Sequence, residues 1–167
     1  DRAARFVGEK LQALGATIEY RTNPRSSHLI ARLKGKGTFR LLLIAHIDTV
    51  FKPGEAAKRP FRLDEKNIAY GPGVGDDKAT VIQTIYALKT LKEYDFDAFG
   101  EIILYYNGEE EGGSPTAEAI VAELSPQADV AVIMDTARPG WGIVTQRKGS
   151  ANYDIKVEGI SGHAGNA

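Results

Sequence analysis

Apolar positions along this chain follow two rhythms, one helical and one strand-like. In "ARFVGEKLQALG", Phe6, Val7, Leu11 and Leu14 recur at helical spacing, and Gly15 supplies the C-terminal stop. "ATIEYR" then reads as a short strand. "HLIARLKG" and "RLLLIAHID" are apolar runs on either side of "KGKGTF", a Gly-containing turn, and predict a β-hairpin. Residues 49–77 lose all periodicity and carry Pro53, Pro60, Pro72 and several glycines. A loop that long in a compact domain is usually functional or disordered. "KATVIQTIYALKTLKEY" restores the helical period, with Val81, Ile85, Leu88 and Leu91 on one face. "GEIILYYN" reads as a buried strand, "SPTAEAIVAEL" as a helix with Pro115 near its first turn, and "ADVAVIMD" as another strand. "GWGIVTQRKG" and "SANYDIKVEGI" predict two further strands. Helices alternating with apolar strands predict an α/β layer structure, and the hairpin makes its sheet mixed. The pattern holds no internal repeat and no low-complexity tract.

Composition narrows the picture. The chain has 167 residues, 43% hydrophobic and 26% charged, enough for one domain with a real core and the edge of a second. Its 21 basic and 22 acidic residues leave a net charge of -1 with no basic stripe, so nucleic acid is a poor match as partner. No apolar run approaches the ~20 residues of a membrane span. The absence of cysteine removes disulfides and a thiol nucleophile, and confines any metal site to histidine and carboxylate. It leaves the compartment undetermined. The chain opens on "DRAARF" without Met and stops at "SGHAGNA" without a closing element, and so reads as part of a longer protein.

Carboxylates follow the apolar runs. "LLLIA" leads into His46 and Asp48, "IILYYN" into Glu109, Glu110 and Glu111, and "VAVIM" into Asp135. In open α/β sheets ligands bind beyond the carboxyl ends of the strands, so these three segments converge on one rim. Asp76 and Asp77, from the Gly-rich loop before a helix, can reach the same rim. Each residue has a plainer reading. Asp76 or Asp77 would cap the helix beginning near Lys78, the Glu triplet would be a solvated charge run, Asp135 would be a turn residue, and His46 a hydrogen-bonded structural histidine. Held together, those readings leave several like charges at one rim with no compensation, which is costly. Oxygen ligands with an imidazole suit Zn, Mn or Co. Two residues along a strand share a face, so Asp48 can accept the second ring N–H of His46 and fix its tautomer. Of the pair Glu110–Glu111, one carboxylate can bind metal while the other takes a proton from the activated water.

"AHIDTV", "YGPGVGDDKA", "NGEEEGGS" and "VIMDTARPG", in this order, resemble the M20 family of dinuclear zinc metallopeptidases, within it the glutamate carboxypeptidase (carboxypeptidase G2-like) group. The resemblance spans residues 28–167. It implies a zinc-exopeptidase-like three-layer α/β domain over residues 1–148, the N-terminal part of the catalytic domain. Residues 149–167 would then be the first strand of an inserted lid domain through which subunits form a homodimer. It implies two Zn²⁺ ions, with Co²⁺ or Mn²⁺ as substitutes. His46 and Asp135 would bind one ion and Glu111 the other, and Asp76, followed by a cis peptide, would bridge them. Asp48 would orient His46, and Glu110 would be the general base. "GISGHAG" matches the lid signature, whose histidine, here His163, would help polarise the scissile carbonyl in the partner subunit's site. Two features of the family have no counterpart: a late metal-binding histidine, for which neither His28 nor His163 has the right context, and the arginine that grips the substrate carboxylate.

The implied activity is hydrolysis of an amide bond, releasing a C-terminal, glutamate-like amino acid from a small peptide or N-acyl amino acid. Within the family, an aminoacylase, deacetylase or dipeptidase fits the same motifs. From other classes, a Mg²⁺-dependent phosphatase-like domain and a non-catalytic metal-binding fragment remain open. "GPGVGDDK" lacks the Gly-Lys-Ser/Thr of a phosphate loop, and "GGSPT" lacks the Gly-x-Ser-x-Gly of a nucleophile elbow. Trp141 and the tyrosines read as packing residues.

Overall fold

The computed structural model describes residues 2–136, 140, 142–163 and 165. The chain divides into two compact units, Asp1–Thr136 and Ala137–Ala167.

In the first unit the elements run α1 (Arg2–Ala13), β1 (Thr17–Thr22), β2 (Ser27–Lys34), β3 (Arg40–His46), α2 (Glu55–Lys58), β4 (Arg62–Leu63), β5 (Ala69–Tyr70), α3 (Ala79–Glu93), β6 (Glu101–Asn107), α4 (Ala117–Leu124) and β7 (Val130–Ile133). Helix α1 forms where the helical period predicts it and buries Ala4, Val7 and Leu11. It stops at Gly15, whose φ of 102° few other residues tolerate. Phe6 departs from the expected face and is half-exposed. Helix α3 turns Val81, Thr84 and Leu88 inward, with Ile85 and Leu91 at the margin of the core.

Five strands form one sheet in the order β1-β2-β6-β3-β7. Strand β2 is antiparallel to both β1 and β6, whereas β3 runs parallel to both β6 and β7. The expected hairpin between β2 and β3 is therefore absent, because β6 lies between them. Two features explain the insertion. Residues 102–106 of β6 are all buried and β2 buries residues 27–31, so both need neighbours on each side. The turn that reads as a hairpin instead binds the approach to β6: the N–H groups of Gly35, Lys36 and Gly37 donate to the carbonyls of Gly100, Asp97 and Phe99. A Cβ on Gly37 would collide with the Ala98 carbonyl, so the close approach requires glycine. The actual hairpin is β1–β2, closed at Asn23–Ser26.

Helices cover both faces of the sheet. On one face Leu29, Ala31, Leu104 and Tyr106 pack with Val7 and Leu11 of α1 and Val81 and Leu88 of α3. On the other, Ile30, Leu42, Ile103 and Tyr105 pack with Ala117, Ile120 and Leu124 of α4. This is the three-layer α/β arrangement with a mixed sheet that the sequence predicts. The long loop holds more order than its lack of period predicts, namely α2 and the small β4–β5 ribbon. Strand β7 is an edge among the described residues, and Val130, Val132 and Ile133 are exposed on it. No helix among the described residues is long and apolar enough to cross a membrane.

In the second unit neither expected strand forms among the described residues. Tyr153, Ile155 and Val157 keep the alternating pattern and are all exposed. A strand needs a neighbour to satisfy its N–H and C=O groups, and no described residue pairs with this segment. Trp141 lies outside the described residues.

Candidate metal centre

Parallel β3 and β6 end side by side, with His46 in register with Asn107. That pairing brings His46 and Asp48 to the 3₁₀ turn Glu110–Gly112 that follows β6. The third contributor is the loop before α3. There Asp76 and Asp77 leave helical geometry, and the peptide between them is cis.

His46, Asp76 and Glu111 each offer a ligand atom within 4.8 Å of the others. His46 is buried, Glu111 half-buried and Asp76 exposed. The imidazole lies between two carboxylates, with Nε2 2.8 Å from Asp76 Oδ1 and Nδ1 3.3 Å from Asp48 Oδ1. Burial disfavours the charged ring, but Asp48, Asp76 and Asp77 outweigh it and push its pKa up to about 9. In the metal-free protein the imidazolium is thus the cation that compensates the cluster. A dication can take its place, since it needs the same carboxylates and a neutral ring.

Asp48 does more than face His46. Its Oδ1 accepts the Glu110 N–H at 3.1 Å and its Oδ2 accepts the Glu111 N–H at 3.0 Å. Burial works against its ionisation, yet His46 and these two amides hold its pKa below the usual carboxylate range. Glu110 is exposed, and its pKa is raised by desolvation and by the charges of Glu111, Asp135 and Asp48, against the opposing pull of His46. A carboxylate with a raised pKa beside a metal-ligand group is suited to accepting a proton.

The remaining expected residues fall differently. Asp135 follows β7 and is exposed, its Oδ1 2.6 Å from the Thr136 N–H. It stands outside the three-residue group, yet its charge acts on both Glu110 and Asp77. His163 lies in the second unit, exposed, with Nδ1 accepting the Gly165 N–H at 3.1 Å.

Helix capping, the plainer expectation for Asp76 or Asp77, does not describe Asp77. It is fully buried and makes no cap hydrogen bond. Its Oδ2 accepts the His46 N–H at 3.2 Å and its Oδ1 takes the Thr80 hydroxyl. It thereby fixes the backbone of one candidate ligand from a position next to another, while burial raises its pKa. An Asp-Asp pair leaves open which member turns inward; only the backbone path decides.

Comparisons with known proteins identify the family. Carboxypeptidase G2 from Pseudomonas sp. (strain RS-16) is 33% identical over 99% of this chain and 40% of its own length. Acetylornithine deacetylase from Proteus mirabilis is 30% identical over 92% of this chain and 40% of its own length. The chain thus spans about 40% of the length of these curated relatives. Among solved structures, the M20 family metallo-carboxypeptidase Sso-CP2 from Sulfolobus solfataricus superposes with a TM-score of 0.65. It is 20% identical, over 80% of this chain and 32% of that one. Human carnosine dipeptidase 1 follows with a TM-score of 0.61 and 22% identity, over 82% of this chain and 33% of its own. These two likenesses carry the fold. Residues 42–164, which contain His46, Asp76, Glu111 and Asp135, match Peptidase family M20/M25/M40, and the chain belongs to that family.

Proposed function

We propose that the intact protein hydrolyses an amide bond, releasing a C-terminal, glutamate-like amino acid from a small peptide or N-acyl amino acid. The observation that carries this reading is the convergence of His46, Asp76 and Glu111 within 4.8 Å, with the Glu110 carboxyl on the adjoining residue. The donor set of one imidazole and carboxylates fits zinc, with cobalt or manganese as substitutes. His46 and Asp135 would hold one ion and Glu111 the second, with Asp76 shared between them. When bound, such ions lower the pKa of a water and polarise a carbonyl.

Glu110 accepts the proton of the attacking water and returns it to the leaving amine. Its raised pKa favours the uptake of that proton. Asp48 holds the His46 ring from Nδ1, leaving Nε2 for the metal. His163 is assigned, on the resemblance of "GISGHAG", to the scissile carbonyl in the other subunit of a homodimer. Deacylation of an N-acyl amino acid is the second reading, favoured by the 30% identity to an acetylornithine deacetylase.

The test is Glu110→Gln in the intact protein, assayed on a panel of N-acyl amino acids and dipeptides. Metal content should be kept and kcat should fall by about 10²-fold or more, the lower range for a general base. An unchanged kcat removes Glu110 from the role, and the panel separates carboxypeptidase from deacylase.

A further inference from the structure

Glu109 is the member of the glutamate triplet to which the proposed chemistry gives no task, and it is the most elaborately held. Its side chain is 7% exposed and reaches the turn of the β1–β2 hairpin. Oε1 accepts the Thr116 N–H at 2.5 Å and the Thr116 hydroxyl at 2.7 Å. Oε2 accepts the Ser26 hydroxyl at 3.1 Å and the Asn23 side-chain N–H at 3.3 Å. Behind Thr116 stands buried His28, whose Nε2 is 3.0 Å from the Thr116 hydroxyl. The Tyr105 hydroxyl lies 3.0 Å from His28 Nδ1, which also accepts the Gly108 N–H at 3.4 Å. A buried carboxylate is costly unless several donors converge on it, and here four do.

The main chain of Glu109 is tied as firmly. Its N–H donates to Asn107 Oδ1, and its carbonyl accepts the N–H groups of Gly112 and Ser114. The turn bearing Glu110 and Glu111 is therefore anchored on one side by Glu109 and on the other by Asp48, which accepts both their N–H groups. Gly108 completes the seam: a Cβ there would meet the Ser27 carbonyl, so the loop lies directly on the start of β2.

We infer that Glu109 is a positioning residue, and that the Asn23–Ser26 hairpin turn acts through it to fix Glu110 and Glu111. This rests on the proposed function for the role of Glu110, while the placement of Glu111 is testable without turnover. Removing the anchor frees the turn on one side. Proton transfer and metal binding both require placement within a fraction of an ångström, and outer partners of metal ligands commonly contribute 10- to 100-fold.

The experiment is Glu109→Gln in the intact protein, where an amide nitrogen replaces one oxygen and confronts two of the four donors. Two readouts are taken: kcat and KM on a substrate found in the panel, and Co²⁺ affinity by chelator competition with the visible Co²⁺ spectrum. Far-UV circular dichroism verifies folding. We expect kcat to fall about 10-fold or more with KM moving less than about 3-fold, and Co²⁺ affinity to fall about 10- to 100-fold. Ser26→Ala, which removes one donor at the hairpin turn, should give a smaller loss of the same kind, on the order of 2- to 5-fold. Added to Glu109→Gln it should cost nothing more. If Glu109→Gln does not fold, Ser26→Ala and its Co²⁺ affinity carry the test. A merely structural Glu109 would lower the thermal midpoint and leave kcat and Co²⁺ affinity of the folded protein within about twofold, and that overturns the inference. Should Glu110→Gln stay active while Glu109→Gln loses Co²⁺ affinity, the base assignment falls and the positioning of Glu111 stands.

Discussion

Asp48→Asn perturbs the centre with little change in shape, and its effect can be worked from three distances. Asp48 Oδ1 faces the Glu110 N–H at 3.1 Å and His46 Nδ1 at 3.3 Å, while Oδ2 faces the Glu111 N–H at 3.0 Å. An asparagine has one oxygen to offer. Placed at Oδ1, it leaves the Glu111 N–H against an amide NH₂; placed at Oδ2, it strands both other donors. The first arrangement loses less, so the predicted fault is at Glu111, a candidate ligand. One half-buried donor left without its charged acceptor costs about 1–3 kcal/mol. At 1.4 kcal/mol per factor of ten, zinc affinity should weaken roughly 5- to 150-fold.

Proton linkage sharpens the test. His46 titrates at about 9 in the metal-free protein, so below that pH a metal must displace its proton. Apparent affinity should therefore rise about tenfold per pH unit up to about 9, with close to one proton released from the ring near pH 7.5. Asp48 is among the groups that raise His46, so in Asp48→Asn the ring titrates lower and less proton is released at the same pH. Chelator competition at several pH values, with release followed in weakly buffered solution, measures both quantities. An affinity within twofold of the parent above about pH 9, where the His46 proton no longer competes, or an affinity flat between pH 7 and 8.5 in the parent, would refute the reasoning.

If Asp76 is shared between two ions as proposed, Asp76→Ala should abolish binding of both; elemental analysis still finding two per subunit contradicts that. Leu104→Ala, at a fully buried position facing α1 and α3, should destabilise by about 2–5 kcal/mol in denaturant unfolding, and a loss under 1 kcal/mol would mean the sheet is not packed as described. Glu109 is held at about 2, well under its ordinary 4.5, by Thr116, Asn23 and Ser26 acting against desolvation. A lowered carboxylate pKa contributes stability present above pH 4.5 and lost as pH falls through 2, here on the order of 3 kcal/mol. Thermal midpoints between pH 5 and 2.5 should accordingly fall less steeply in Glu109→Gln than in the parent.

What the sequence could and could not convey follows from the range of each interaction. Helices α1, α3 and α4 are legible from the spacing of their apolar residues and strands β2, β3, β6 and β7 from short apolar runs, although β7 turns out exposed. Whether Asp76 or Asp77 turns inward is not legible, because it depends on a backbone path with no periodic signature. The hairpin error has the same origin. "KGKGTF" has the composition of a turn, but its N–H groups find the carbonyls of residues 97–100, which no local rule identifies.

That error bears directly on why the rim could still be read. The expectation that His46 and the glutamates converge requires only that their strands be parallel and end on the same side. It does not fix which strands are neighbours. With β3 beside β2, an antiparallel partner would occupy the flank of β3 where β6 now lies. With β6 inserted, His46 aligns with Asn107, and the chain needs only four more residues to deliver Glu111. Asp48, two residues beyond His46, then reaches the Glu110 and Glu111 amides directly. The burial of residues 102–106 on both faces forces β6 into the interior of the sheet, and the same insertion brings the histidine and the glutamate into one group with Asp76. An apolar strand with no chemistry of its own thus sets the geometry of the metal centre. Charged substitutions at Ile103 or Leu104 should therefore abolish metal binding as surely as loss of a ligand.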